Sequence, residues 1–422
     1  MVKMVLNTIR KHQVLFLAAA FLLAFTLLTL MNLEFVKGNP GGYDFYTNWH
    51  GTRYFLLEGR SPYGPENRLE VQNMVYGRAA LEGEEQYFFS IPLFGMLIYS
   101  PFALISDFLT ARALWMTCLE FSLLAIILLS IRLAWWKINR TILIPLLIFS
   151  FFSFHGLSAL LDGRLIIPTT LFALGVLTAL RNKQDELAGL LLAFIFISPV
   201  PLTLFIVFML LRLIINRRMK VVWWMLGTTG LLIGFSVVII PNWSLQYIVT
   251  LINSYQSIIP ASPGSVLVDR WGEIGTRVSI IITVLVGLLI IFEWFKGLKA
   301  DEPRALWTVM VTIALSTWSG FRISPLDYVF LLPAIIFGFE LFEKRWRKRA
   351  SGIILSVLAL LFVIDWIIYF STMSIDLRSG ISSFLLIPMP LTTIVILYWT
   401  KWWVQKSRSI ELEPTKLEIH RP

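Results

Sequence analysis

From Val14 to Leu33 no residue carries a charge, and comparable apolar runs recur almost to the end of the chain. Inside a bilayer no water is present to satisfy backbone N–H and C=O groups, so such runs must fold as helices that bond within themselves. About 20 apolar residues span the ~30 Å hydrocarbon layer. Only 15% of the residues are charged, against about a quarter in soluble proteins, and the mean hydropathy is +0.75. Lys3, Arg10 and Lys11 precede the first run, as in a signal peptide. Its length, the absence of a small-residue cleavage site and the many later spans read it instead as a retained anchor.

The formal charge is +10, but the basic residues stand in short clusters at the ends of the apolar runs. These are Lys137/Arg140, Arg181/Lys183, Arg217/Arg218/Lys220, Lys296/Lys299/Arg304, the run Lys344 to Arg349, and Lys401/Lys406/Arg408. The positive-inside rule reads them, with Lys3, Arg10 and Lys11, as cytoplasmic. Nucleic acid would need a contiguous basic surface, which is missing, so none is expected as a partner. The single cysteine, Cys118, lies in an apolar run, which excludes a disulfide framework and a thiolate metal cluster.

About twelve transmembrane helices satisfy these clusters, over 14–33, 111–134, 141–155, 164–180, 187–198, 200–216, 222–240, 277–295, 305–321, 325–342, 351–371 and 383–403, with both termini cytoplasmic. The fold expected is thus an all-α polytopic membrane protein. It has a single transmembrane domain, 1–408, and a cytoplasmic tail, 409–422. Residues 88–106 carry Pro92 and Pro101 and read as a re-entrant or interfacial helix. Residues 187–213, broken at Ser198-Pro199-Val200-Pro201, read as a short hairpin. Two outer loops are large, 34–110 and 241–276; 156–164, 199–201, 322–324 and 372–382 are short. Helical spacing over 44–58 and 66–81 predicts short interfacial helices in the first. The second carries Trp243, Tyr247, Tyr255, Asp269, Arg270 and Trp271, mostly interface anchors.

Ionisable residues at membrane depth are expensive and usually functional. Four positions share the outer side. Asp44 follows Gly41-Gly42 and stands between Tyr43 and Tyr46; His155 and the Asp162-Gly163-Arg164 turn end a later pair of spans; Arg322 precedes Asp327 and Tyr328. A cleft open to water and lipid would collect them and would suit a substrate with a lipid tail and a polar head. Each also has a plainer reading. Asp44 can begin an interfacial helix as its cap, Asp162 and Arg164 can pair locally, Arg322 can snorkel to headgroups, and His155 can be a bonded core residue. No carboxylate cluster is dedicated to a cation, so no metal is expected.

Five stretches resemble the membrane-embedded GT-C glycosyltransferases, and within them glycosyltransferase family 87: GGYDFY (41–46), FLLEGRSPYG (55–64), SIPLFGMLIYSPFAL (90–104), LAGLLLAFIFISPVPLTL (187–204) and ISPLDYVFLLP (323–333). The resemblance implies a polyprenyl-phosphate-linked sugar, mannose in the family, as donor. It also implies a lipid or glycan hydroxyl as acceptor, inversion at the anomeric carbon, and a plasma-membrane enzyme working on its extracytoplasmic face without a separate cofactor. The family's acid of the first outer loop maps onto Asp44 as general base. Arg322 and then Arg164 are the candidates to hold the phosphate, with Asp162, His155, Tyr43, Tyr46, Tyr63 and Asp327 as further substrate contacts. Ser198 stands where relatives often carry lysine, and Asp327 and Tyr328 stand near a position where histidine is common. The alternative is a secondary transporter or flippase, which would call for matching inverted halves; no internal repeat is visible.

Overall fold

The computed structural model describes residues 2–81, 84–257, 262–372 and 383–406. They are helical, with no strand among the described residues. The first helix, α1 (Val2–Gly38), leads into two short helices, α2 (Tyr43–Glu58) and α3 (Pro65–Tyr76), and then α4 (Met96–Ala103). The bundle continues through α5 (Phe108–Leu133), α6 (Arg140–Phe152), α7 (Phe154–Asp162), α8 (Ile166–Arg181), α9 (Asp185–Phe194), α10 (Thr203–Ile215) and α11 (Met219–Ile239). It closes with α12 (Trp243–Ser257), α13 (Pro263–Gly297), α14 (Glu302–Ser316), α15 (Leu332–Trp346), α16 (Ala350–Thr372) and α17 (Pro388–Lys406).

Six helical stretches among the described residues are long and apolar enough to cross a membrane, seven if the bent pair α6–α7 counts as one. Twelve full spans were expected. The difference lies in helices such as α8, whose 16 residues rise only about 24 Å, and in the broken α9–α10 hairpin. Burial separates the helices into two kinds. Every residue of α14 from Arg304 to Ser316 is buried, as is every residue of α15 through Phe342, and these two form the centre. On α1, α11 and α13 large side chains such as Phe16, Leu231 and Phe295 are exposed, which is a lipid-facing surface. Buried Glu293 takes Arg304 at 2.7 Å and also pairs with Lys401, tying α13, α14 and α17 together; both cations had read as members of interfacial basic clusters.

Other departures have local causes. The helix expected over 66–81 starts on Pro65, whose fixed φ suits a first helical position, and stops at Gly77 in the left-handed region. In the segment 241–276, expected as an outer loop, the described residues are largely helix, α12 and the start of α13, with a break at Gly272. Residues 88–106 form only a single 3-10 turn and α4, packed on α2. The hairpin breaks at 195–202, where Pro199 and Pro201 lack the N–H a continuous helix needs. Loop 373–382, the tail 409–422 and the side chains of Lys3, Arg10, Lys11 and Tyr255 lie outside the described residues.

Candidate active site

Two glycines turn the chain from α1 into α2. Gly42 has φ 74, and a Cβ there would meet Arg112 Nε at 2.5 Å. Arg112 is buried in α5 and donates to the carbonyls of Asn39 (2.8 Å) and Leu161 (3.2 Å). One guanidinium thus ties the end of α1 to the end of α7, and the glycines make room for it.

α7 ends as a Schellman motif. Gly163 takes φ 79 and the Arg164 N–H bonds back to the Ala159 carbonyl at 3.0 Å. Trp115 of α5 donates its indole N–H to the Gly163 carbonyl at 2.9 Å, and Phe45 of α2 stacks on Trp115 with ring centroids 5.5 Å apart. A Cβ on Gly163 would lie 2.5 Å from that of Phe45. Gly163→Ala therefore combines a left-handed backbone with overpacking. Thermal unfolding in detergent should register a loss of about 2–4 kcal/mol.

These contacts bring Asp44 to the 162–164 turn. The backbone N–H of Asp44, one of the unsatisfied first-turn donors of α2, bonds Asp162 Oδ1 at 3.3 Å. Arg164 Nε donates to Asp162 Oδ2 at 2.7 Å, and its Nη1 lies 3.9 Å from Asp44 Oδ1. Asp327 joins from the turn Pro325–Leu331, whose start is capped by the Ser324 hydroxyl accepting from the Leu326 N–H. Glu85 joins from the segment after α3. The charges of both act on Asp44 and on Arg164.

Two carboxyls, those of Asp162 and Asp44, thus lie within 4 Å of one guanidinium, and the charges of Asp327 and Glu85 act on it as well. Burial pushes the Asp44 carboxyl up most; Arg164 pulls it down, and Asp162, Asp327 and Glu85 push it up again, leaving it at about 7. Burial works against the charge of Arg164, but Asp162, Asp44, Asp327 and Glu85 hold it well above its ordinary value. Burial also raises Glu85, with Arg164 opposing. The outcome is a permanently charged arginine beside a carboxyl that exchanges its proton near neutrality, the property wanted in a general base.

The other expected site residues are distributed unevenly. Asp162, Arg164 and Asp327 stand with Asp44. Tyr43 packs on Tyr87, which in turn meets Tyr76, at 5.9 and 5.8 Å between centroids. Tyr46 packs against Trp49, His50 and Phe108. Tyr63 donates to the Ile91 carbonyl at 2.9 Å and lies against Phe89 and Tyr247, positioning the chain ahead of α4. His155 is fully buried, with Nδ1 2.7 Å from the Pro325 carbonyl and Nε2 3.3 Å from Asp365. It supports the turn that carries Asp327 instead of facing the Asp44 group. Arg322 is half-buried in the loop ahead of that turn; the cation beside Asp44 is Arg164.

Sequence reasoning missed Glu85, Arg112, Asn48, whose side-chain amide donates to the Asp44 carbonyl at 2.9 Å, and Tyr99, a buried phenol within reach of the Asp44 charge. For Arg112 a signal existed: an arginine inside an apolar run demands a buried partner. Glu85 ends the acidic stretch Glu82-Gly83-Glu84-Glu85, which reads as solvated surface.

A helical membrane bundle that gathers acids and one guanidinium where its helices end is built as an embedded enzyme. The model of glycosyltransferase family 87 matches residues 89–325, more than half of the chain. The chain belongs to that family and is an integral-membrane glycosyltransferase. The matched stretch includes Asp162 and Arg164 and lies between Asp44 and Asp327. No curated protein and no solved structure matches the chain.

Proposed function

We propose that this glycosyltransferase moves a sugar, mannose by its family resemblance, from a polyprenyl phosphate to a hydroxyl of a lipid-linked or glycan acceptor. The reaction runs on the extracytoplasmic face of the plasma membrane, with both termini in the cytoplasm. The carrying observation is Asp44, tied through its backbone N–H to Asp162 and lying 3.9 Å from Arg164, with a carboxyl raised to about 7. Its carboxylate takes the proton of the acceptor hydroxyl as that oxygen bonds to the anomeric carbon. The C–O bond to the phosphate breaks on the opposite side, the configuration inverts, and the lipid phosphate leaves as an anion.

Arg164 is already paired with Asp162 and Asp44, feels the charges of Asp327 and Glu85 as well, and has little charge to spare for a phosphate. Its role is to keep Asp44 ionisable at neutral pH. Arg322, on the loop that leads to Asp327, is assigned to the leaving phosphate through charge-assisted bonds. Tyr43 and Tyr87 offer aromatic faces beside the base. The test is to incubate the purified chain with a panel of short-chain polyprenyl-phosphate sugars and a membrane lipid extract, and to follow products by mass spectrometry. A sugar-sized mass increase on an acceptor, with release of polyprenyl phosphate, is expected. Absence of transfer from every donor would overturn the reading.

A further inference from the structure

The end of the bundle opposite Asp44 contains a cavity of about 590 Å³ between α5 and α8 on one side and α10 and α14 on the other. α5 links the two ends. Its first residues pack near Tyr46 and Trp49, and its last, Leu133, lines the cavity. The inner wall is apolar, made by residues such as Leu177, Met209, Leu213, Leu306 and Val309.

The rim is basic. Arg181, Lys183, Arg212 and Arg218 line it with two acids, Asp185 and Glu302, so four cations against two anions leave +2. The arginines are held in place. Arg212 donates to the carbonyls of Gly297, Leu298 and Ala300 at the end of α13, Arg218 bonds Asp185 and the Leu180 carbonyl, and Arg181 pairs with Glu302 at 3.4 Å and lies over the Trp135 ring. Lys183 is different. It is exposed, its ammonium has no hydrogen bond or ion pair among the described residues, and its backbone, whose N–H bonds the Leu180 carbonyl at 3.3 Å, sits at φ 58, a left-handed position that non-glycine residues rarely adopt. An apolar wall under a rim of net positive charge, at the end of membrane-spanning helices, matches an amphiphile with an anionic head.

We infer that this cavity holds an anionic phospholipid of the adjacent leaflet, with an acyl chain along the leucine wall and the phosphate at the rim beside Lys183. Nothing in the proposal depends on the reaction at Asp44, which lies at the other end of α5. It differs from the general attraction of basic clusters to anionic membranes in being one cavity with a defined apolar wall.

The experiment uses the purified full chain in detergent, with native mass spectrometry and thermal unfolding in the presence of phosphatidylglycerol, phosphatidylcholine or inorganic phosphate. Phosphatidylglycerol should be retained at one copy and raise the unfolding temperature; phosphatidylcholine and inorganic phosphate should not. Lys183→Ala should weaken phosphatidylglycerol retention about five-fold, the factor one basic residue contributes at an anionic surface. Leu177→Trp, which fills the wall without touching the rim, should displace the lipid while the protein stays folded. Equal retention of phosphatidylglycerol and phosphatidylcholine, or an undiminished signal in both variants, would overturn the site. Stabilisation by inorganic phosphate alone would overturn the lipid as its occupant.

Discussion

Asp44→Asn lowers turnover by about 10²–10⁴-fold, the contribution of a positioned general base, and leaves the bundle folded. The amide keeps the size of the side chain and leaves the backbone bond to Asp162 in place, so what is lost is the carboxylate, both as proton acceptor and as the charge 3.9 Å from Arg164. The wild-type rate should show an acid limb near pH 7, falling about tenfold per unit below it, because the carboxyl must be ionised to act. Stability should move the other way. A carboxyl whose folded value lies above its unfolded value weakens folding once ionised. The penalty sets in above the ordinary range near 4 and is complete above about 7. At pH 8 the Asn variant should therefore unfold at the same temperature as the wild type or higher. Lost activity with unharmed stability is the mark of a group kept for chemistry. A variant that unfolds earlier would show Asp44 to be a structural helix start, and the base would have to be sought elsewhere.

Most of the helical architecture was legible because hydrocarbon imposes one rule along the whole chain. The apolar runs behind α1, α5, α11, α13 and α16 gave spans from composition alone. The break at Pro199-Val200-Pro201 was legible too, since proline removes a specific hydrogen bond, whereas α4 runs on through Pro101 to Ala103. The number of full spans was not. Packing of α8 on α5 and α9, of α9 on α11 and of α10 on α14 lets these short helices sit in the bundle without meeting the length a lipid-exposed span needs. Of the site, Asp44, Asp162, Arg164 and Asp327 stood out as charges in apolar surroundings. Which arginine faces Asp44 did not. That depends on Phe45 stacking on Trp115 and on Trp115 bonding the Gly163 carbonyl, contacts between residues 45, 115 and 163 that no local pattern encodes. Glu85 reaches the group through tertiary placement as well. His155 illustrates the reverse case: its chemistry invited a ligand role, and packing gave it the Pro325 carbonyl and Asp365 instead.

Arg164 offers the second large effect, and its sign separates electrostatics from architecture. The guanidinium lies 3.9 Å from the Asp44 carboxylate and opposes the upward push of burial and of three neighbouring acids. An opposite charge at this range lowers a carboxyl by roughly 1–3 pH units. Arg164→Gln removes that pull, so the acid limb of the pH–rate profile should move upward from about 7 by a similar amount. At pH 7, where the wild-type carboxyl is half ionised, the rate should fall about 5–500-fold, and it should recover substantially when the pH is raised to where Asp44 ionises again. Arg164→Lys keeps a positive charge near the carboxylate. Its acid limb should stay close to that of the wild type, although the planar fork that grips Asp162 is gone. A residue that merely closed the Gly163 turn would lower the unfolding temperature in both variants and leave the acid limb in place. The recovery at high pH is therefore the decisive reading, because lost packing does not return when protons are removed.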